Sequence, residues 1–212
     1  MCYDKQTSIT TYSIGTISSL LLLNSTNVSY KIAGVFFLFV SQMQMIEYLL
    51  WNDYTCNKFN INISNFGSVL NHAQPIILYL ALRYYNKNLN DFQKNILNLI
   101  ISIYIISLIL YSRNVYPLDC TTITNDNPPH LYWTWNEKKN NIKFYMIFLS
   151  SLILLSYFGF PKSYNVYMAL ICLGTYIYSF IKYKDTKVVG AMWCWIAAIV
   201  PLGILIIDNM II

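Results

Sequence analysis

The amino-acid sequence predicts an all-α fold: a polytopic integral membrane protein of about seven transmembrane helices in an antiparallel bundle. Composition is the first ground. Of 212 residues, 56% are hydrophobic and only 11% are charged, against roughly 25% charged in an average soluble domain. So little charge cannot solvate the exterior of a chain this size, whereas a lipid exterior needs none. The second ground is recurrence. Apolar windows near the ~20 residues that span hydrocarbon fall at 8–23, 30–51, 63–83, 92–111, 142–160, 164–182 and 188–207. Together they make residues 1–212 a single transmembrane domain.

The first window is short and rich in Ser and Thr. It has one preceding lysine and no small-x-small cleavage site before "NSTN", so it reads as a helix rather than a signal peptide. The second opens with "KIAGVFFLFV" and then turns polar in "SQMQMIEYLLW". The third, "VLNHAQPIILYLA", contains Pro75, which lacks a backbone donor and tends to kink a helix. The fourth, fifth and sixth are apolar with few interruptions. The seventh, "GAMWCWIAAIVP", carries Gly190, Ala191 and Ala197, which permit close helix contact, and Pro201, a second kink.

Short connections make neighbouring helices antiparallel. The exception is 112–141, containing "DCTTITNDNPPHLYWTWNEKK". Loops that long are usually functional lids or disordered, and Pro128, Pro129, Tyr132, Trp133 and Trp135 argue against disorder. Two readings stay open: an interfacial aromatic belt at headgroup level, or a cap over the bundle.

Seven spans put the N-terminus, the long loop, Cys2, Cys56 and Cys120 on one face. Lysine and arginine outside the long loop divide evenly between the two faces, so charge does not orient the chain. Cys56 and Cys120 are the cysteines in connecting segments, and an oxidising space on their face would let them pair, with Cα atoms within roughly 7 Å. The sequons Asn24-Ser-Thr and Asn27-Val-Ser lie on the opposite face and argue the other way, while Asn62-Ile-Ser lies on the cysteine face close to the membrane. The cysteine pair tips the orientation toward an external long loop.

Chemistry-bearing residues converge in one half of the bundle. Gln44, Glu47 and Trp51 recur at helical spacing, with Ser41 extending the stripe. Polar stripes on membrane helices point inward because lipid offers them no partners. Glu47 lies roughly 6 Å below the helix end at 1.5 Å per residue. Asn71, His72 and Gln74 form the matching cluster on helix three, and Trp193, Cys194 and Trp195 lie at a similar depth on helix seven. These positions predict a polar intramembrane cavity between helices two, three and seven. It would bind or move a small solute, proton or lipid headgroup, with Glu47 as the ionisable element. Asn71, His72 and Gln74 would orient the solute, and Trp51, Trp193 and Trp195 would wall the cavity.

Two alternatives stand beside this. Gln44 and Asn71 are also the residue types that glue helices together, at about 0.6 kcal/mol each, which gives a structural or interaction protein with no transported substrate. A membrane-embedded enzyme is the other.

Several classes are excluded. No run of five basic residues exists, which removes nucleic acid as a partner. There is no C-x-x-C pair and only two histidines, His72 and His130, so zinc-ribbon, thioredoxin and three-histidine sites cannot be built. A retinal protein needs a Schiff-base lysine inside helix seven, and Lys187 sits only at its rim. No hydrolase or P-loop motif appears. A cysteine–carboxylate–histidine site of Cys2, Glu47 and His72 is conceivable if Cys2 becomes the N-terminus, but no metal and no cofactor is assigned.

Met1, Cys2, Gln44, Glu47 and Trp51 match a pattern of N-terminal Met-Cys followed by Gln-x-x-Glu-x-x-x-Trp on the second helix. In this the chain resembles an uncharacterised family of small multi-pass membrane proteins of bacteria and giant DNA viruses. "NHAQP" (residues 71–75) is similar to the viral branch. Tyr3 and Asp4 stand where the family usually has an aromatic-Ser pair, and the likeness covers roughly the first eighty residues. The resemblance implies a virus-encoded protein of a host or virion membrane and brings no activity with it.

Overall fold

The computed structural model describes residues 4–53, 55–124, 129–137, 141–183 and 188–211; Cys2, and with it the conceivable Cys2–Glu47–His72 site, lies outside them. Seven α-helices run through the described residues: α1 (Lys5–Leu23), α2 (Val28–Asn52), α3 (Lys58–Tyr85), α4 (Asp91–Val115), α5 (Asn141–Gly159), α6 (Asn165–Tyr183) and α7 (Val189–Ile211). Asparagine and aspartate start the first four. Asp4 accepts from Thr7 N at 2.6 Å, Asn27 from Ser29 N at 2.8 Å and Asn57 from Phe59 N at 2.8 Å. Asn90 and Gln93 exchange reciprocal bonds in a capping box. Each cap satisfies amide donors that the first helical turn leaves orphaned.

Five helices are long and apolar enough to cross a membrane: α2, α4, α5, α6 and α7. The expected spans one and three form as helices but fall short of that composition, and the reason is where their polar residues point. The buried face of α1 is Ser8, Thr11, Gly15, Ser18, Ser19 and Leu22. That of α3 includes Asn60, Ser64, Ser68, Asn71, His72 and Gln74. The outward face of α4 has the opposite character: Leu99, Ile103, Ile106 and Leu110 are 50–60% exposed. An apolar stripe of that kind would be a liability in water and is ordinary in hydrocarbon.

Helix α2 packs on α3 and α7, α3 on α5, α5 on α6 and α6 on α7, closing a ring of five. Helix α1 lies outside the α2–α7 seam and α4 outside the α3–α5 seam. Within the ring, α3 and α7 face one another, and that is where the polar side chains collect.

The long loop begins later than expected, because α4 continues to Val115. Beyond it, β1 (Thr122–Ile123) and β2 (Leu131–Tyr132) pair antiparallel, and one turn of 3-10 helix follows at Thr134–Glu137. Thr121, fully buried, is gripped by α3: its N–H donates to Asn60 Oδ1 at 2.9 Å, and Asn60 Nδ2 donates to its carbonyl at 3.0 Å. Tyr111 of α4 donates to the Trp135 carbonyl at 2.7 Å. Trp133 and Trp135 stack at 4.9 Å with exposures of 2% and 0%, so they face protein and not a headgroup layer. Cys56 and Cys120 are bonded, with Cα atoms 5.2 Å apart. The described residues of the loop thus form a cap tied to the start of α3.

Cys56 has a left-handed φ of 60°, costly for a side chain with a Cβ, and a tight turn holds it. Asp53 accepts from Thr55 N at 3.1 Å, from the Thr55 hydroxyl at 2.5 Å and from Asn57 Nδ2 at 2.5 Å. These bonds, the Thr55 hydroxyl foremost, hold the exposed Asp53 carboxyl below its ordinary value of 3.8. A folded pKa that is depressed stabilises the turn above the unfolded value, and the stabilisation is lost as pH falls through the folded one. Amide chemical shifts at Thr55 and Cys56 are therefore expected to move as pH drops below about 3.8. Asp53→Asn should abolish that movement; an identical titration in the variant would assign it elsewhere.

Candidate functional site

Pro75 opens the site. It cannot donate to the Asn71 carbonyl four residues back, and at the next residue Tyr104 of α4 donates its hydroxyl to the His72 carbonyl at 2.5 Å. This turn of α3 presents Asn71, His72 and Gln74, all buried, to α5 and α7.

A continuous chain of hydrogen bonds runs through these residues. Tyr116, 40% exposed just beyond α4, donates to Ser68 Oγ at 3.3 Å. Ser68 Oγ lies 3.4 Å from His72 Nδ1, and His72 Nε2 lies 3.3 Å from the Tyr145 hydroxyl of α5. Asn71 Nδ2 donates to the same hydroxyl at 3.2 Å. The Cys194 thiol of α7 donates to Asn71 Oδ1 at 3.7 Å and accepts from Gln74 Nε2 at 3.7 Å. Cys194 is also within electrostatic reach of Tyr145 and of Glu47. On α2, Gln44 Nε2 donates to Glu47 Oε2 at 3.0 Å.

His72 is boxed by aromatic rings, edge-on to Tyr111 at 5.6 Å and Phe144 at 5.2 Å, and Tyr111 and Phe144 stack at 4.2 Å. A neutral imidazole donates from one nitrogen and accepts at the other. Whichever tautomer is present, His72 links Ser68 to Tyr145, and switching tautomer reverses the direction of the bonds on both sides.

The predicted site residues are thus partly assembled. Gln44 and Glu47 meet as their spacing requires, and Asn71, His72 and Gln74 join one network. Gln44, Glu47, Gln74 and Cys194 are 0% exposed, and the Cys194 thiol sits between Asn71 and Gln74. Gln74 Oε1 is left without a hydrogen-bond partner among the described residues, at a cost of about 1–3 kcal/mol for a buried acceptor.

The tryptophans do not wall this region. Trp193 donates to Thr175 of α6 at 3.0 Å, and Trp195 donates to Thr11 of α1 at 3.0 Å. At 100° per residue they must diverge, which leaves Cys194 between them pointing inward. Trp51 packs half-buried against the core near the end of α2. Two shallow surface grooves lie elsewhere, one along α1 and α7 and the other along the far end of α3.

Tyr145 completes the site without having been expected in it, and Cys194, expected only at the depth of Glu47, joins it directly. Cys194 is signalled by its place between two outward-turning tryptophans. Tyr145 carries no local mark among nineteen tyrosines, because its role depends on how α5 meets α3. Among the described residues, no three His, Cys, Asp or Glu side chains cluster as metal ligands would. Comparison with protein-family models, with curated proteins and with solved structures finds no match.

Proposed function

We propose that this multi-pass membrane protein binds a proton at Glu47 and exchanges it with the cap-side face through the Tyr116–Ser68–His72–Tyr145 chain. The observation that carries this is the run of hydroxyl and imidazole groups from half-exposed Tyr116 through buried Ser68 and His72 to Tyr145 of α5. Gln44, Glu47 and Gln74 are 0% exposed, a setting that supports a proton as the ligand over a larger solute. A proton needs only groups that both donate and accept, which Tyr, Ser, His and Cys do. Asn71, a carboxamide, positions Tyr145 and Cys194 instead of relaying.

The relay has one open end. Ser68, His72, Tyr145, Cys194 and Glu47 all lie toward the cap, so the geometry favours proton binding from one side over conduction across the bilayer. Protonation at Glu47 would alter its electrostatic contact with Cys194 and through it the fit of α7 against α3, giving a pH-responsive bundle. The disulfide favours an oxidising space on the cap face.

Infrared titration of the carboxyl stretch in nanodiscs tests the reading. One buried carboxyl band is expected to titrate in the wild type and to vanish in Glu47→Gln. Tyr145→Phe should keep the band and slow its exchange with deuterium oxide by about 100-fold, the low end for a positioned proton-transfer group. The same dry packing supports a second reading, in which Glu47 is helix glue in a structural membrane protein. That reading requires a Glu47 band that does not move with pH.

A further inference from the structure

We propose that the groove at the far end of α2 and α3 is a binding site for an anionic phospholipid, with Arg83 and Lys87 on its phosphate and an acyl chain lying along Val35, Ile77 and Leu80. The groove is lined by these residues together with Tyr84. Its chemistry is graded along its length. Ile77, Leu80, Tyr84 and Lys87 recur at spacings of three and four, which places them on one face of α3 and just past its end. The apolar members lie toward the middle of the bundle and the cations at its rim. Val35 of the antiparallel α2 supplies the opposite wall, and Lys31, one turn nearer the same rim, adds a third cation on that face.

Two observations point to an anion rather than to solvent alone. Arg83 is half-buried, yet it carries no hydrogen bond or ion pair among the described residues. A guanidinium offers five donors in a planar fork matched to phosphate, and these are unused. Lys87 is held 5.2 Å over the exposed Tyr84 ring, keeping its ammonium beside the groove. The second observation is the disulfide at the other end. With the cap in an oxidising space, this end faces the leaflet where anionic lipids are concentrated. Leu80 and Tyr84, 53% and 67% exposed, then give the acyl chain and glycerol region an apolar and an amphipathic surface at the depth each requires.

The inference rests on the membrane-spanning reading and not on the proton relay. Native mass spectrometry of the detergent-extracted protein with equimolar phosphatidylglycerol and phosphatidylcholine tests it. The wild type is expected to retain phosphatidylglycerol preferentially, and Arg83→Gln/Lys87→Gln to reduce that preference by about 30-fold, from roughly fivefold per lost cation. Arg83→Lys should keep most of it, and unchanged near-ultraviolet circular dichroism would show that the variants fold. Equal retention of both lipids, an unaffected double variant, displacement by millimolar inorganic phosphate, or a lipid-free dimer occupying the groove would each overturn the proposal. Carbonate extraction separates the two levels. A protein released by it fails the membrane reading itself, whereas loss of selectivity in a protein that stays inserted fails only this inference.

Discussion

Replacing Cys56 and Cys120 by serine is expected to lower the unfolding free energy by about 4 kcal/mol, the largest single effect the structure implies. The bond joins positions 64 residues apart, and cross-linking a loop of that length removes about that much entropy from the unfolded chain. The loop it closes contains α3 and α4 entire and ends at the cap. Without the bond, the cap is held by the Asn60–Thr121 pair, the Tyr111–Trp135 carbonyl contact and the buried tryptophan stack. Such hydrogen bonds contribute about 1 kcal/mol each, so they do not replace it. Unfolding in detergent, followed by tryptophan fluorescence, should show a lowered midpoint in the double variant and the same midpoint in reduced wild type. The described free cysteines, Cys172 and Cys194, are buried and contribute nothing to that comparison. An unchanged midpoint would mean that the tryptophans and Thr121 alone seat the cap.

The cap also marks where the sequence stops being informative. Helices were legible because hydropathy is local: a run of about twenty apolar residues declares itself whatever it packs against. Boundaries came within a few residues for α2, α5 and α6, since asparagine, proline and glycine punctuate them. Helix α3 starts five residues earlier than its apolar window, because Asn60, too polar to fall inside the window, is buried against Thr121. Nothing in "KFNIN" announces a partner sixty residues away. The same division runs through the candidate site. Gln44 with Glu47 and Asn71 with Gln74 are fixed by helical spacing on single helices, and both pairings were readable. Tyr145 and the partners of Cys194 enter through contacts between helices. Local patterns expose which residues face inward, whereas which inward residues meet is decided by the ring of helices.

Gly15→Ala is expected to destabilise the protein, and its sign separates a helix contact from an open surface. At an open position in a helix, alanine stabilises relative to glycine by up to about 1 kcal/mol. At Gly15 a Cβ would lie 2.3 Å from Ser41 Oγ and 2.5 Å from the Ala198 carbonyl oxygen. The serine hydroxyl is committed to the Phe37 carbonyl at 2.8 Å, and a backbone oxygen in mid-helix cannot step aside. Helix α1 must therefore back away from both α2 and α7, stretching the Trp195–Thr11 bond at 3.0 Å on the way. Overpacking of this kind costs about 1–3 kcal/mol, which outweighs the propensity gain. Gly174, in the middle of α6, is the control, because nothing lies within 4 Å of its Cβ position. Thermal midpoints in one detergent should fall for Gly15→Ala and rise for Gly174→Ala. A rise in both would show that α1 does not sit in the α2–α7 seam, and that its serines and threonines face something other than those helices.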